Sequence, residues 1–436
     1  MIGGGLVGLT SAYYLRQTGL AVSVLDRRPG VSLECSYANA AFLSPRSMFP
    51  VTSIWEQSHP SEAWARFSSH FPSDPDFHKL AQYQLELNEL GIELLDSDFL
   101  AKNPTLKEKF VTTDGGYLAL HLNEDGVDEM YKKLRQHGRD SHFSLLDRNA
   151  CLELDSSLKN AGPFEFGVWM KRERTGDAFI FSGLMEEWLK SQGVEFHFGE
   201  SVDEFQVSES LIESITTSAG KTFQADVFVA ACGSFIPQLL EPLRKYVPVY
   251  PLQGHSITIK VPEGLPFPGR SLSYPMQSYT AIMSPLPGRR LRVTGFDDVA
   301  GFEMGPGAVR PERIREILTA VFTVFPEIIP ANESVDSLAD WIRVDDYMVP
   351  GTKDPVKAWV GLRPQSPDSL PIVGYLPGFD NLMLNAGHGK IGWMSCCATA
   401  KMAASLITGN SGLESPYDIH ILSPTRFSAT CDLVEA

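Results

Sequence analysis

Three glycines open the chain at the spacing G-x-G-x-x-G, in Gly3-Gly-Gly5-Leu-Val-Gly8. This spacing lets a strand turn tightly into a helix and brings backbone amides against a diphosphate. Gly3 permits the turn, Gly5 lets the backbone approach the phosphates, and Gly8 lets helix and strand pack closely. Asp26 ends an apolar stretch 23 positions after Gly3, where a carboxylate can hold ribose hydroxyls. A glycine-rich turn and a solvated acid are the plain alternative for each taken alone. Jointly they predict a dinucleotide site, without separating nicotinamide from flavin. Arg27 and Arg28 fit either a clamp for a 2′-phosphate or a solvated strand end.

A second group lies near the other end. It comprises Gly361-Leu-Arg-Pro-Gln-Ser-Pro-Asp368, Pro371-Ile-Val-Gly374 and Asn385-Ala-Gly-His-Gly-Lys-Ile-Gly-Trp393. Glycines before a helix let its amides and positive end approach an anionic ring edge. Arg363 offers a rigid planar fork suited to a carboxylate, with a structural ion pair as the alternative. His388 is either a proton-transfer group or a loop histidine without that role. Glu34-Cys-Ser-Tyr-Ala-Asn-Ala-Ala-Phe-Leu-Ser-Pro45 is rich in small and amide residues, as suits a loop lying against a large planar cofactor.

The elements that must position these groups alternate between helix and strand. Leu9, Ala12 and Tyr13 recur at helical spacing, and Val22-Ser-Val-Leu25 follows as a buried strand. Helical patterns run over 80–95 and 179–190, the latter with Asp177 near its start. A strand-like stretch spans 116–122, and a buried strand over 227–231 ends at Gly233. Residues 246–345 are rich in strands and turns, and 382–385 reads as a strand before a helix that runs through 407. Nucleotide-type signals thus lie at both ends and in the middle. The expected architecture is α/β, with one cofactor domain assembled from 1–48, 140–245 and 340–436. A second domain, for substrate, is expected from 49–139 and 246–339.

The 436 residues are 43% hydrophobic and 21% charged, an ordinary globular balance. A net charge of -16 argues against a nucleic-acid surface, which needs a basic stripe. None of the six cysteines forms a C-x-x-C pair, so neither a disulfide framework nor a metal site is expected, and a reducing compartment fits. The apolar opening lacks a basic leader and is broken by glycines, and no run approaches a membrane span. A cytoplasmic protein, peripheral at a membrane at most, is expected.

Taken together, Gly3–Gly8, Glu34–Pro45, Thr175-Gly-Asp177, Gly361–Asp368 and Gly387–Trp393 resemble the D-amino acid oxidase superfamily. More narrowly they resemble its bacterial-type D-amino acid dehydrogenases. Pro248-Val-Tyr-Pro-Leu-Gln-Gly-His-Ser256 and the tail from Pro416 to Phe427 fall in the expected order, so the resemblance runs end to end. It implies noncovalent FAD in a Rossmann-type domain, with a smaller antiparallel β substrate domain over the flavin. Arg363 would bind the substrate carboxylate, and Tyr279 would belong to the pocket wall. The isoalloxazine would be lined by Gly387, Gly389, Lys390, Ile391 and Gly392. The remaining cofactor positions would be Gly3, Gly5, Gly8, Asp26, Arg27, Ser36, Asn39, Ala40, Val202, Gly233 and Gly361.

The implied reaction is oxidative deamination of a D-alanine-like amino acid to the 2-oxo acid and ammonia, by hydride transfer to flavin without a protein base. The electron acceptor stays open between quinone, carrier and oxygen. A sarcosine- or glycine-type amine oxidase and a flavin-binding subunit of a larger complex are the alternatives. Ala41 stands where relatives usually have glycine. Gln253 and His255 stand where the bacterial enzymes have lysine and tyrosine, which bears on substrate preference. Only Met1 and Ile2 precede Gly3, where relatives have a full central strand. Each neighbouring backbone group left unpaired would cost about 1–3 kcal/mol. The native protein is therefore expected to start upstream of Met1, or to hold FAD poorly.

Overall fold

The computed structural model describes all residues except 47, 52, 74–75, 329–333, 336–342, 345–355, 410–418 and 431–436. The opening glycines do what their spacing predicts. The chain turns at Gly3 into the helix Leu6–Gln17 and returns as the strand Ser23–Asp26. A Cβ on Gly8 would lie 1.9 Å from the Gly3 carbonyl oxygen, so a larger residue would wedge helix from turn.

Around this unit lies a parallel sheet in the order Glu195–Phe198, Ser23–Asp26, Ile2, Phe228–Ala230, Leu382–Ala386. The antiparallel strand Ile372–Tyr375 flanks it. Ile2 is its one-residue centre. The Ile2 amide donates to Val229 O (2.8 Å), and its carbonyl accepts from Ala231 N (2.8 Å). On the other side Gly3 N donates to Leu25 O and Leu25 N to Met1 O. The neighbours expected to be unpaired are thus paired where Ile2 reaches them. Leu6–Gln17, Ala178–Ser191 and Gly392–Thr408 cover one face through Leu9, Tyr13, Phe181, Met185 and Met394. This is the Rossmann-type half.

The second half is a nine-stranded mixed sheet. Its order is Arg343–Val344, Val356–Gln365, Tyr250–Lys260, Arg290–Val299, Thr280–Leu286, Ser271–Pro275, Tyr117–His121, Phe166–Met170, Phe143–Asp147. The helix Pro311–Val324 packs on it through Ile314, Ile317 and Val321, against Ile257, Leu272, Met283 and Val293. Four of these strands, Phe143–Asp147, Phe166–Met170, Arg343–Val344 and Val356–Gln365, lie in segments expected on the cofactor side. All four pair within this sheet. Val356–Gln365 pairs with Tyr250–Lys260 along its whole length, a contact that local periodicity cannot reveal.

The loop over 34–45 is pinned to this sheet. Buried Arg292 donates from Nη1 to the carbonyls of Tyr37 and Asn39 (both 3.4 Å) and from Nε to Thr258 Oγ1 (3.2 Å). Ser284 Oγ donates to Ala40 O at 2.7 Å. Ala41 is left-handed (φ 55°), which explains why glycine suits that place. Phe42–Leu43 then pairs with Arg174–Gly176. Of the tail, 416–418 lie outside the described residues, as does Cys431; Arg426 joins it to Asp368 at 2.7 Å. The five described cysteines are free. Among the described residues no helix is long and apolar enough to cross a membrane.

Glu173 precedes that small strand and is 1% exposed, with Arg46 Nη1 3.7 Å away. Burial pushes its pKa up to about 8 from an ordinary 4.5, while Arg46 and Ser44 pull it down less. A carboxyl raised on folding contributes stability that is complete below the lower value and lost as pH climbs through the higher. The unfolding midpoint is therefore expected to fall between about pH 4.5 and about pH 8. Glu173→Gln should flatten that fall in scanning fluorimetry; an unchanged slope would exclude Glu173 as the titrating group.

Candidate active site

A cavity of about 1050 Å³ lies between the two sheets. Of the cofactor positions expected from sequence, Gly3, Gly5, Asp26, Arg27, Ser36, Asn39, Ala40, Val202, Gly233, Gly361, Gly389, Lys390 and Gly392 line it. Gly8, Gly387 and Ile391 do not. Gly8 is packed under the first turn, Gly387 is a left-handed residue (φ 70°) below the wall, and Ile391 is buried as the N-cap of the helix Gly392–Thr408. They shape the wall from behind.

At the glycine-loop end, Asp26 Oδ2 accepts from Gly4 N (2.7 Å) and Oδ1 from Arg28 N (2.8 Å). Burial pushes its pKa up, and these two hydrogen bonds oppose the rise. The helix Leu6–Gln17 has Gly5 as N-cap and no side-chain cap, and Leu6 N donates to Ser36 Oγ (3.3 Å). Arg27 lines the cavity and is partly exposed. Its Nε donates to Glu34 Oε1 (2.7 Å), and its guanidinium lies 3.7 Å from the Phe235 ring centroid.

At the other end the strand Val356–Gln365 carries Arg363 into the wall. Gly389 N donates to Pro364 O (2.7 Å), Gln365 bridges His388, and Ser234 Oγ donates to Leu362 O (3.0 Å). The Arg363 guanidinium lies flat on Gly254, where a Cβ would come within 2.2–2.4 Å of Nη1, Cζ and Nη2. Its Nη1 donates to Phe296 O (2.6 Å) and to Asp297 Oδ1 (3.0 Å). The other Asp297 oxygen pairs with Lys390 Nζ. Arg363 is thus ion-paired as well as cavity-lining.

Tyr279 and His388 also line the cavity. The Tyr279 hydroxyl donates to Glu316 O (2.9 Å) and its ring stacks on Phe296 with centroids 4.1 Å apart, so it contributes a face. His388 Nε2 lies 3.0 Å from Thr399 Oγ1. The Thr399 hydroxyl is directed to Cys396 O at 3.3 Å, which makes Nε2 the donor of the pair. Burial pushes the His388 pKa down to about 3. A histidine so weakly basic orients its loop and does not carry a proton near neutral pH.

Sequence reasoning missed Gly254, Arg292, Phe296 and Asp297. Phe296 is left-handed (φ 69°) at an irregularity opposite Gln253–His255, a conformation costing about 1–3 kcal/mol. One signal was available: Asp297 and Asp298 are adjacent in a strand, where alternation cannot turn both to solvent.

The wall fits a flavin dinucleotide. Helix starts without side-chain caps at Gly5 and Ile391 offer positive ends. Among the described residues, Asn385 Oδ1 and Trp393 Nε1 are buried without a hydrogen-bond partner, and both residues line the cavity.

A family model described as FAD dependent oxidoreductase matches residues 1–406. A D-amino acid dehydrogenase of Methylobacterium nodulans is 29% identical over 439 residues, covering 94% of this chain and 95% of that protein. Its counterpart from Allorhizobium ampelinum is 29% identical over 453 residues, 98% of each. Among solved structures, glycine oxidase from Bacillus cereus superposes with a TM-score of 0.70 at 18% identity, covering 97% of this chain and 96% of that one. That likeness concerns the fold alone. The family match spans the glycine loop, the Arg363 strand and the turn before the last long helix, and the chain belongs to the DAO family of FAD-dependent oxidoreductases.

Proposed function

We propose that this protein oxidises a small D-amino acid, with D-alanine as the reference substrate, to the imino acid, which water then converts to the 2-oxo acid and ammonia. The names of the two relatives support the substrate class. One observation carries the reading: Arg363 stands in the cavity wall with Nη2 and Nε making no hydrogen bond among the described residues. It is also hydrogen-bonded, through the neighbouring Pro364, to the turn before Gly392–Thr408. An open guanidinium edge is the natural partner of a carboxylate.

Noncovalently bound FAD supplies the acceptor for the electron pair that leaves the α-carbon with its hydrogen. The chain's residues do the rest. Arg363 forks the carboxylate and fixes the α-carbon, and the stacked rings of Tyr279 and Phe296 close a wall against water. The substrate amine reacts in its neutral form and loses its proton to solvent, so no protein base is required. Cys35 lines the same cavity, and burial pushes its thiol up to about 11. It therefore stays protonated and a poor nucleophile, which supports a noncovalent cofactor.

The purified protein is expected to be yellow and to release its flavin into the supernatant on acid precipitation; colour retained in the pellet would refute noncovalent binding. Arg363→Lys keeps the charge and loses the fork, so it should weaken the substrate, and Arg363→Ala should weaken it further. A charge-assisted hydrogen bond contributes about 1.5–3 kcal/mol, and each 1.4 kcal/mol is roughly tenfold. Loss of a two-pronged pair should lower kcat/KM by roughly two to four decades, while FAD content stays near wild type. Anaerobic flavin reduction against D- and L-amino acids measures this directly. Wild-type rate and affinity in Arg363→Ala would end the carboxylate assignment.

A further inference from the structure

An acid beside the group meant to bind an acid needs an account. Asp297 lies in the cavity wall in contact with Arg363, where its charge opposes an incoming carboxylate. Its surroundings show it to be held there deliberately. The strand Arg290–Val299 breaks register opposite Gln253–His255, and left-handed Phe296 sits at that break. The Phe296 ring is fixed between Tyr279 (4.1 Å) and the Arg313 guanidinium (4.3 Å). Such an irregularity re-aims the next side chain, and Asp297 meets Arg363 with one oxygen and Lys390 with the other.

The hydrogens of Arg363 are divided accordingly. Both on Nη1 are spent, one on Phe296 O and one on Asp297 Oδ1. The planar group also lies on Gly254, where no side chain intervenes. The Nη2–Nε edge is left as its one open fork among the described residues. Lys390 stands two residues before the helix Gly392–Thr408, so the same carboxylate joins the fork to the turn that lines the cofactor end of the cavity.

We infer that Asp297 is a positioning residue: it holds Arg363 by Nη1 so that the Nη2–Nε edge is presented to the substrate carboxylate, and through Lys390 it ties that edge to the cofactor-lining turn. The inference rests on the amino-acid reading given above and deepens it. Arg363 and Lys390 against Asp297 leave one positive charge, which matches one substrate carboxylate. Affinity given up to the resident acid is returned as orientation, because a fork fixed in advance loses less freedom on binding.

The test uses the FAD-loaded protein and two readouts. Propionate, which is D-alanine without its amine, is titrated by its perturbation of flavin absorbance; D-alanine is used to follow anaerobic flavin reduction. Asp297→Ala is expected to weaken propionate roughly tenfold and to slow reduction at saturating D-alanine by about as much, the scale of one charge-assisted hydrogen bond. FAD content should stay near wild type. Asp297→Asn keeps an acceptor for Nη1 and should recover most of the loss, binding propionate about threefold more weakly than wild type. Tighter propionate binding in both variants would show that Asp297 only competes with the substrate, and would overturn the inference. Unchanged affinity and rate in Asp297→Ala would overturn it too. If Asp297→Ala purifies without FAD, Asp297→Asn decides alone: weaker binding supports the inference, equal or tighter binding rejects it. Arg363→Ala runs alongside. If that variant binds propionate as the wild type does, the carboxylate reading itself fails, and the role of Asp297 falls with it.

Discussion

One hydrogen bond joins the two halves at the place where they must agree. Gly389 N donates to Pro364 O at 2.7 Å, next to the bridge between Gln365 and His388. The first partner belongs to the turn that leaves the parallel sheet after Leu382–Ala386; the second ends a strand of the nine-stranded sheet. Ligands of open α/β sheets collect at the carboxyl ends of the strands, and that turn stands there. Val356–Gln365 is meanwhile held along Tyr250–Lys260, so Arg363 cannot shift without breaking a ladder. The seam joins the two sheets into one frame around the cavity. Orientation of that kind is a large part of what such a reaction needs.

The charge of the molecule and the charge of its site are different matters. The chain carries -16, yet the Arg363 end of the cavity is organised around cations. Arg310 and Arg313 are both answered by Asp298, and Arg313 also by Glu316. His255 adds no charge, since burial and the nearby Arg310, Arg313 and Arg363 push its pKa down to about 3. What remains is Arg363 with Lys390, shared with Asp297. Over distances shorter than the Debye length of about 10 Å these neighbours outweigh the distant negative surface.

What the sequence made legible follows the same logic. Gly3, Gly5, Gly8 and Asp26 were readable because a diphosphate and a ribose demand particular residue types within one turn and one strand. Of Arg363 and the Gly387–Gly392 block, Arg363, His388, Gly389, Lys390 and Gly392 line the cavity, while Gly387 and Ile391 stand behind it. Sheet membership was not legible. Phe143–Asp147 and Phe166–Met170 look like any half-buried strands, and only their distant partners place them. The partners of Arg27 were not legible either, since Glu34 lies seven residues on and Phe235 far along the chain. His388 shows the limit of residue type as a guide: the imidazole that invites a proton-transfer role is buried onto Thr399 and kept neutral.

Seven described residues other than glycine have left-handed backbone, Ala41 and Phe296 among them, and these two lie beside residues that line the cavity. Such strain persists only where the surroundings over-determine it. Ala41 lies between a carbonyl held by Ser284 and a strand paired to Arg174–Gly176. Phe296 lies between a stacked tyrosine and an arginine. In each case the strained residue delivers its neighbours to the wall: Asn39 and Ala40 in the first, Asp297 in the second. The second case also decides how much of Arg363 is left for a ligand. Of its two acceptors one is a neutral carbonyl and the other an acid shared with Lys390, so the guanidinium is steered without being fully neutralised. A regular strand would alternate its side chains, and could not have aimed the carbonyl of Phe296 and the carboxylate of Asp297 at one nitrogen.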